Sequence, residues 1–293
     1  MRRTRLGGIL LSLLALAACG AGEGGGHPPA LDAITLVDAA GDTLTLPTPA
    51  QRVISLVPSA TLTLDALGAR ALLVGRTDYD TVAWAAKIPS VGGGLHPSLE
   101  ATVALHPDLV IRFAGPQDPD TPRRLRELGI AQLAVRPDRI ADIFETIRLV
   151  GRAVGKDAQA DSLADALGRS LDALGREAKA LPGPPPRVAF VLGGSPPWVA
   201  GPGTYIDELI TLAGGVNVFA DLEHPYSSVS PEVFLSRRID VVLTPAPATL
   251  DSRLLAGVRV EKVSGSVELP GPNVVEAARE VADKLRQTPP EAS

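Results

Sequence analysis

The sequence predicts an α/β protein made of two similar lobes joined by one long α-helix. Three observations carry that expectation. Short apolar runs alternate with helical segments in both halves, the pattern of βα units around a mainly parallel sheet. A Ser-x-Glu segment followed by an Asp recurs in register: Ser98, Glu100 and Asp108 each lie 132 residues before Ser230, Glu232 and Asp240. Between the halves, apolar residues keep helical spacing with a single break.

Taken in order, residues 34–38 and 43–47 alternate or are β-rich and flank an Ala-Ala-Gly-Asp turn, which reads as a β-hairpin. Residues 52–57 (RVISLV) are a short apolar run suited to a strand buried on both faces. A helix over 60–67 closes at Gly68, and strands follow at 72–75, 109–113 and 132–135. Helical spacing runs through Ile140, Ile143, Ile147 and Val150, breaks near Gly155, and resumes through Ala160, Leu163, Leu167, Leu171 and Leu174. Asp157 is the expected cap of this second helix, and the run Leu181-Pro182-Gly183-Pro184-Pro185-Pro186 stops it. The second half restarts with RVAFVL at 187–192, a helix at 205–212 and a strand at 241–243, and ends in an amphipathic helix over 273–285. The expected divisions are an N-terminal lobe 33–139, a connecting helical segment 140–186 and a C-terminal lobe 187–288.

With 45% hydrophobic and 21% charged residues, the chain of 293 residues has enough apolar material for a core. A net charge of −5 argues against nucleic acid as a partner, because phosphate contact needs a basic face. Aromatics are only 3%, so each aromatic near a strand end carries weight. The N-terminus reads as a targeting segment. Arg2, Arg3 and Arg5 precede an apolar stretch too short to span a bilayer, and Leu16-Ala17-Ala18-Cys19 resembles a bacterial lipobox. The expectation is a signal peptide over 1–18, lipid attachment at Cys19 and a Gly-rich tether over 19–32. That makes the protein extracytoplasmic and anchored to the cell membrane rather than threaded through it.

In each repeat the Ser stands where an N-cap belongs and the Glu falls in the first helical turn. Helix-dipole stabilisation accounts for either Glu alone. Two equivalent carboxylates, one per lobe, also suit a partner with two similar halves that offers Arg to each.

The segments RVISLVPSAT, VGRTDYD, SLEATVALHPDLVI, GGSPPWVAG and SVSPEVFLSRRIDVVL together resemble the cobalamin and iron-chelate substrate-binding proteins of ABC importers, over about residues 33–288. The resemblance implies two Rossmann-like α/β lobes bridged by one long helix, the class III periplasmic binding protein fold. It implies a small-molecule ligand held between the lobes: cobalamin or another corrinoid or, alternatively, a ferric siderophore or haem. It implies as partners a permease dimer with its ATPase, docked through Glu100 and Glu232, with the binding protein a monomer. No cofactor is expected beyond the transported ligand.

A cleft between such lobes is lined by loops at the carboxyl ends of parallel strands. Tyr79, Phe113, Trp198 and Tyr226 lie near such ends and match aromatic positions of the cobalamin-binding members, with Trp84 as an addition. Flat aromatic walls suit a large ring ligand. Around Gly92, Gly93 and Gly94 the resemblance departs from the best-known cobalamin binders, which carry an aromatic where this chain has glycines. His96 reads either as a ligand to a cobalt or iron centre or as a loop histidine. Arg76 and Arg112 are the candidates for gripping a ferric siderophore, and with no Tyr in the 92–95 loop haem ranks lower. The chain shows no nucleophile elbow, no His pair with metal spacing and no phosphate loop ending in Lys and Ser or Thr, so the expected class is a binder and not an enzyme.

Overall fold

Strands form where short apolar runs bury both faces. In the computed structural model, which describes residues 33–115, 120–245 and 250–286, the first half holds a parallel sheet of β3 (Val53–Ser55), β4 (Leu73–Gly75), β5 (Leu109–Phe113) and β6 (Gln132–Val135). Their order is β4-β3-β5-β6. The chain adds β4 on one side of β3 and then crosses to place β5 on the other. Such a reversal opens a crevice at the carboxyl ends of the two central strands. The predicted signal peptide 1–18, the tether 19–32 and the Cys19 attachment site lie outside the described residues.

The opening hairpin pairs β1 (Ile34–Val37) with β2 (Thr43–Leu46). Asp38 docks it onto the sheet: its carboxylate accepts from the N–H groups of Ala40 and Asp42 in the turn and of Ala134 in β6.

In the second half β7 (Arg187–Gly193) is central. It runs parallel to β11 (Val241–Thr244), which pairs with β12 (Arg259–Lys262). The other edge of β7 takes β9 (Val216–Asn217) near its start and β8 (Trp198–Ala200) near its end, the latter antiparallel. Strand β10 (Tyr226–Ser228) then closes that edge antiparallel to β8. This β8–β10 ribbon occupies stretches that read as loops in the sequence.

The helices α4 (Ile140–Ala153) and α5 (Asp157–Lys179) lie between the two sheets in sequence. At about 1.5 Å per residue, α5 is about 34 Å long. It packs on α4 and, in the second half, on α6 (Tyr205–Leu212) and α8 (Val274–Arg286). Gly151 lets α4 and α5 touch, since a Cβ there would stand 2.3 Å from that of Ala160. Asp157 does not cap α5 as expected. The cap position is Lys156, and Asp157 is the first helical residue, where its charge favours the helix dipole.

One contiguous apolar core runs from the hairpin through β3 and β5, across α4 and α5, to β7, β11 and α8. Smaller clusters fill the opposite face of each sheet. The two halves are also tied by polar contacts at the end of β6. The backbone N–H of Tyr205 donates to the Asp138 carbonyl at 2.7 Å. Glu208 accepts from Ile140 N–H and from the Arg139 guanidinium, both at 2.7 Å.

The repeat resolves into separate roles. Asp108 accepts from the N–H groups of Gln51 and Arg52, and Asp240 from that of Arg187, so each Asp holds the start of its half's central strand. The two arginines repeat as well: Arg52 Nε donates to the His106 carbonyl and Arg187 Nε to the Arg238 carbonyl.

Candidate functional site

Two adjoining cavities open at the carboxyl ends of β3 and β5 and share Val57, Pro58 and Phe113 as walls. The first, about 350 Å³, is bounded by Tyr79 and the Gly93–His96 loop. The second, about 230 Å³, lies between the halves, with Ser59 and Asp138 on one side and Tyr205, Tyr226 and Glu268 on the other. Among the described residues, no Lys or Arg lines either one. A larger cavity of about 760 Å³ sits at the far end of α5, against Leu181–Pro186 and Gly214–Val216. It is walled only by α5 and second-half elements, away from the strand-end crevice.

Local chemistry shapes the first cavity. Thr77 N–H and Oγ1 both donate to Asp80 Oδ2, at 2.8 and 2.7 Å, and Tyr79 N–H donates to Thr77 Oγ1. Thr77 and Asp80 are buried, so this tight turn leaves Tyr79 facing out, 68% exposed. The turn is pinned to the facing loop by the Ser90 hydroxyl on Asp78 and by Asp78 N–H on the Gly92 carbonyl. Gly94 brings that loop onto the end of β3: a Cβ there would lie 2.4 Å from the Leu56 carbonyl oxygen. Gly94 thus serves a close backbone approach.

Tyr79, Phe113 and Tyr226 are brought to the cavity walls, and His96 joins them, exposed, at the mouth. Among the described residues, no group of three or more His, Cys, Asp or Glu is placed to hold a metal ion. Trp198 is not in either wall. It pairs with Ser228, whereas Tyr226 pairs with Ala200, so Trp198 shares a face of the ribbon with Tyr226 but stands two residues further along it. Trp84 is displaced altogether: it packs on the first-half core, with the Arg70 guanidinium 4.8 Å above its ring. Arg76 and Arg112 are also engaged elsewhere. Arg76 donates to the carbonyls of Ala85 and Thr77, and the buried Arg112 bonds Gln132 and faces Asp42.

Sequence reasoning missed Ser59, Tyr205 and Glu268. Tyr205 is 2% exposed and reads as an ordinary core residue at a helix start. Burial drives its phenol well above the usual range, with Tyr226 adding a little. Burial, followed by the charges of Asp138 and Glu268, pushes Tyr226 up to about 12, although the residue as a whole is 40% exposed. Burial likewise raises the Glu268 carboxyl.

The carboxylates of the repeat lie on two short exposed helices, α2 (Leu99–Ala104) and α7 (Pro231–Ser236). Ser98 and Ser230 cap them by accepting from Ala101 and Val233 N–H. Glu100 is exposed and makes no hydrogen bond or ion pair with any described residue. Glu232 is exposed too, and the Ser230 hydroxyl, then its own backbone N–H, hold its carboxyl below the usual range. In each copy the Ser and the Asp serve the fold, and the Glu is left facing outward without an ion-pair partner.

The chain as a whole is similar to known proteins. A cobalamin-binding protein of Halobacterium salinarum is 30% identical, the match covering 98% of this chain and 86% of that one. Among solved structures, the periplasmic vitamin B12-binding protein BtuF of Vibrio cholerae superposes with a TM-score of 0.71 at 26% identity, covering 81% of this chain and 97% of its own. The periplasmic haem-binding protein RhuT from Roseiflexus sp. RS-1 gives a TM-score of 0.70 at 26% identity, covering 80% and 99%. The profile of the periplasmic binding proteins matches residues 53–258, a stretch that begins at β3 and ends just before β12. By that match and by the nearly end-to-end relative, the chain belongs to the periplasmic binding protein family.

Proposed function

We propose that this chain is the substrate-binding lipoprotein of an ABC importer, which captures cobalamin or a related corrinoid between its halves and delivers it to the permease. The observation that carries the reading is the character of the cleft: aromatic and apolar walls from both halves and, among the described residues, no Lys or Arg. Such walls suit a large flat ring by area burial and dispersion. An anionic iron chelate would call for a cationic grip, and Arg76 and Arg112 are committed to other partners. The names of the Halobacterium and Vibrio relatives support the same choice.

Phe113, Tyr79 and Tyr226 are the proposed ring contacts, and Trp198 extends their surface along the ribbon. Glu100 and Glu232 are the proposed two-point dock, each offering an unpaired carboxylate to a cation on one half of a permease dimer. Cys19 is the proposed lipid attachment. Cys19→Ala is expected to release the protein from membranes; retention in the membrane fraction would reject that assignment.

The deciding experiment is titration of the full-length chain with cyanocobalamin, haem and a ferric siderophore, followed by absorption spectra. Tight saturable binding of cyanocobalamin alone is the expected result. Saturable binding of haem or the siderophore without cyanocobalamin would overturn the corrinoid reading.

A further inference from the structure

The floor of the cleft holds polar groups that the fold does not use. Tyr205 is 2% exposed and Ser59 is 3% exposed, and neither hydroxyl has a hydrogen-bond partner among the described residues. They come from opposite halves and line the same inter-lobe cavity. An unpaired buried hydroxyl is costly, because it gives up its hydrogen bonds to water and gains none. Two of them in one cavity point to a ligand that pairs them. Glu268 lines that cavity as well and makes no hydrogen bond or ion pair with any described residue. Tyr226 completes the group, close enough to Tyr205, Asp138 and Glu268 for their charges to act on one another. Asp138 differs from Glu268 because Arg136 already pairs with it at 2.6 Å.

The group therefore combines hydroxyls, each able to donate, with one unpaired carboxylate that only accepts. A primary carboxamide is its complement, with an acceptor oxygen for the hydroxyls and N–H donors for the carboxylate. A carboxylate on the ligand has no donor to offer and would meet Glu268 as a like charge. We propose that Ser59, Tyr205, Tyr226 and Glu268 form a carboxamide-reading subsite, which selects a macrocycle fringed with neutral primary amides over one fringed with carboxylates. The subsite rests on the corrinoid reading, since corrinoids carry such amides around the ring and haem carries propionates.

The test uses two probes with the same ring, dicyanocobinamide with amide side chains and dicyanocobyrinic acid with carboxylates, titrated into the full-length chain. The wild type is expected to bind the amide probe at least about tenfold more tightly, the worth of one hydrogen bond to a charged group. The double variant Ser59→Ala, Tyr205→Phe is expected to lose about tenfold or more in affinity for the amide probe. Its ligand-free melting temperature stays level or rises, because the hydroxyls it removes have no partners in the fold. Glu268→Gln is expected to improve binding of the acid probe and so narrow the ratio. If the wild type binds the amide probe and these variants leave affinity and ratio unchanged, the subsite is wrong and the corrinoid reading stands. If the wild type binds neither probe nor cyanocobalamin, both fall.

Discussion

Replacing Glu208 by Ala should loosen the joint between the two halves. Its carboxylate accepts from Ile140 N–H and from the Arg139 guanidinium, both at 2.7 Å. One side chain on α6 therefore caps α4 and ties the two helices together. Loss of a side-chain acceptor at a helix start costs about 1 kcal/mol. The ion pair adds about 0.5 kcal/mol, kept small because the Arg139 side chain is 60% exposed and Glu208 is 24% exposed. The expected total is about 1.5 kcal/mol, or a fall of about 2.5 °C in Tm for a chain of this size. Urea denaturation followed by far-UV circular dichroism should show a lower midpoint at unchanged slope. Glu208→Gln keeps an acceptor for Ile140 and loses only the charge, so it should cost about a third as much. A loss below about 0.5 kcal/mol for the Ala variant, or equal losses for Ala and Gln, would refute the assignment of Glu208 as cap and tie.

Charge reversal at both Glu100 and Glu232 should abolish ligand uptake by cells while leaving ligand affinity of the purified protein within about twofold, about 0.4 kcal/mol; uptake that survives the double reversal removes them from the dock. Phe113→Ala, which opens the wall shared by both cavities, should weaken ligand binding by roughly tenfold to thirtyfold by calorimetry without unfolding the chain, and an unchanged affinity would exclude it from the site. Glu268→Gln should stabilise the ligand-free protein at pH 7. Burial raises the Glu268 carboxyl in the folded state, so its contribution is fully present below the unfolded pKa of about 4.5 and is lost as pH rises through the folded value. The advantage of Gln should therefore shrink as pH falls through the carboxylate range, and an advantage that persists at pH 3 would refute the cause.

Much of the architecture was legible because its strands are buried on both faces. β3, β5, β7 and β11 are nearly uninterrupted apolar runs, a pattern that does not depend on distant partners. The β8–β10 ribbon was not legible. Its strands are three residues each, half-exposed and flanked by Pro and Ser, and only their pairing makes them strands. Trp84 shows the same limit in the site. Its place is set by Arg70 and a core surface, which the local sequence does not show. Tyr205 was hidden differently, since an apolar helix start such as YIDELITL does not reveal that one hydroxyl lacks a partner. Glu268, in a short 3-10 turn after β12, carries no local pattern at all.

The continuous core bears on how the protein would meet its transporter. Because α4 and α5 belong to one apolar core with both sheets, that core rather than the cargo would set the span between α2 and α7. On the proposed docking, that span is a caliper set to one opening, and an empty molecule presents the same two prongs as a full one. Unloaded copies would then occupy permeases without delivering anything. The ratio of loaded to empty binding protein, more than the amount of either, would set the rate of import.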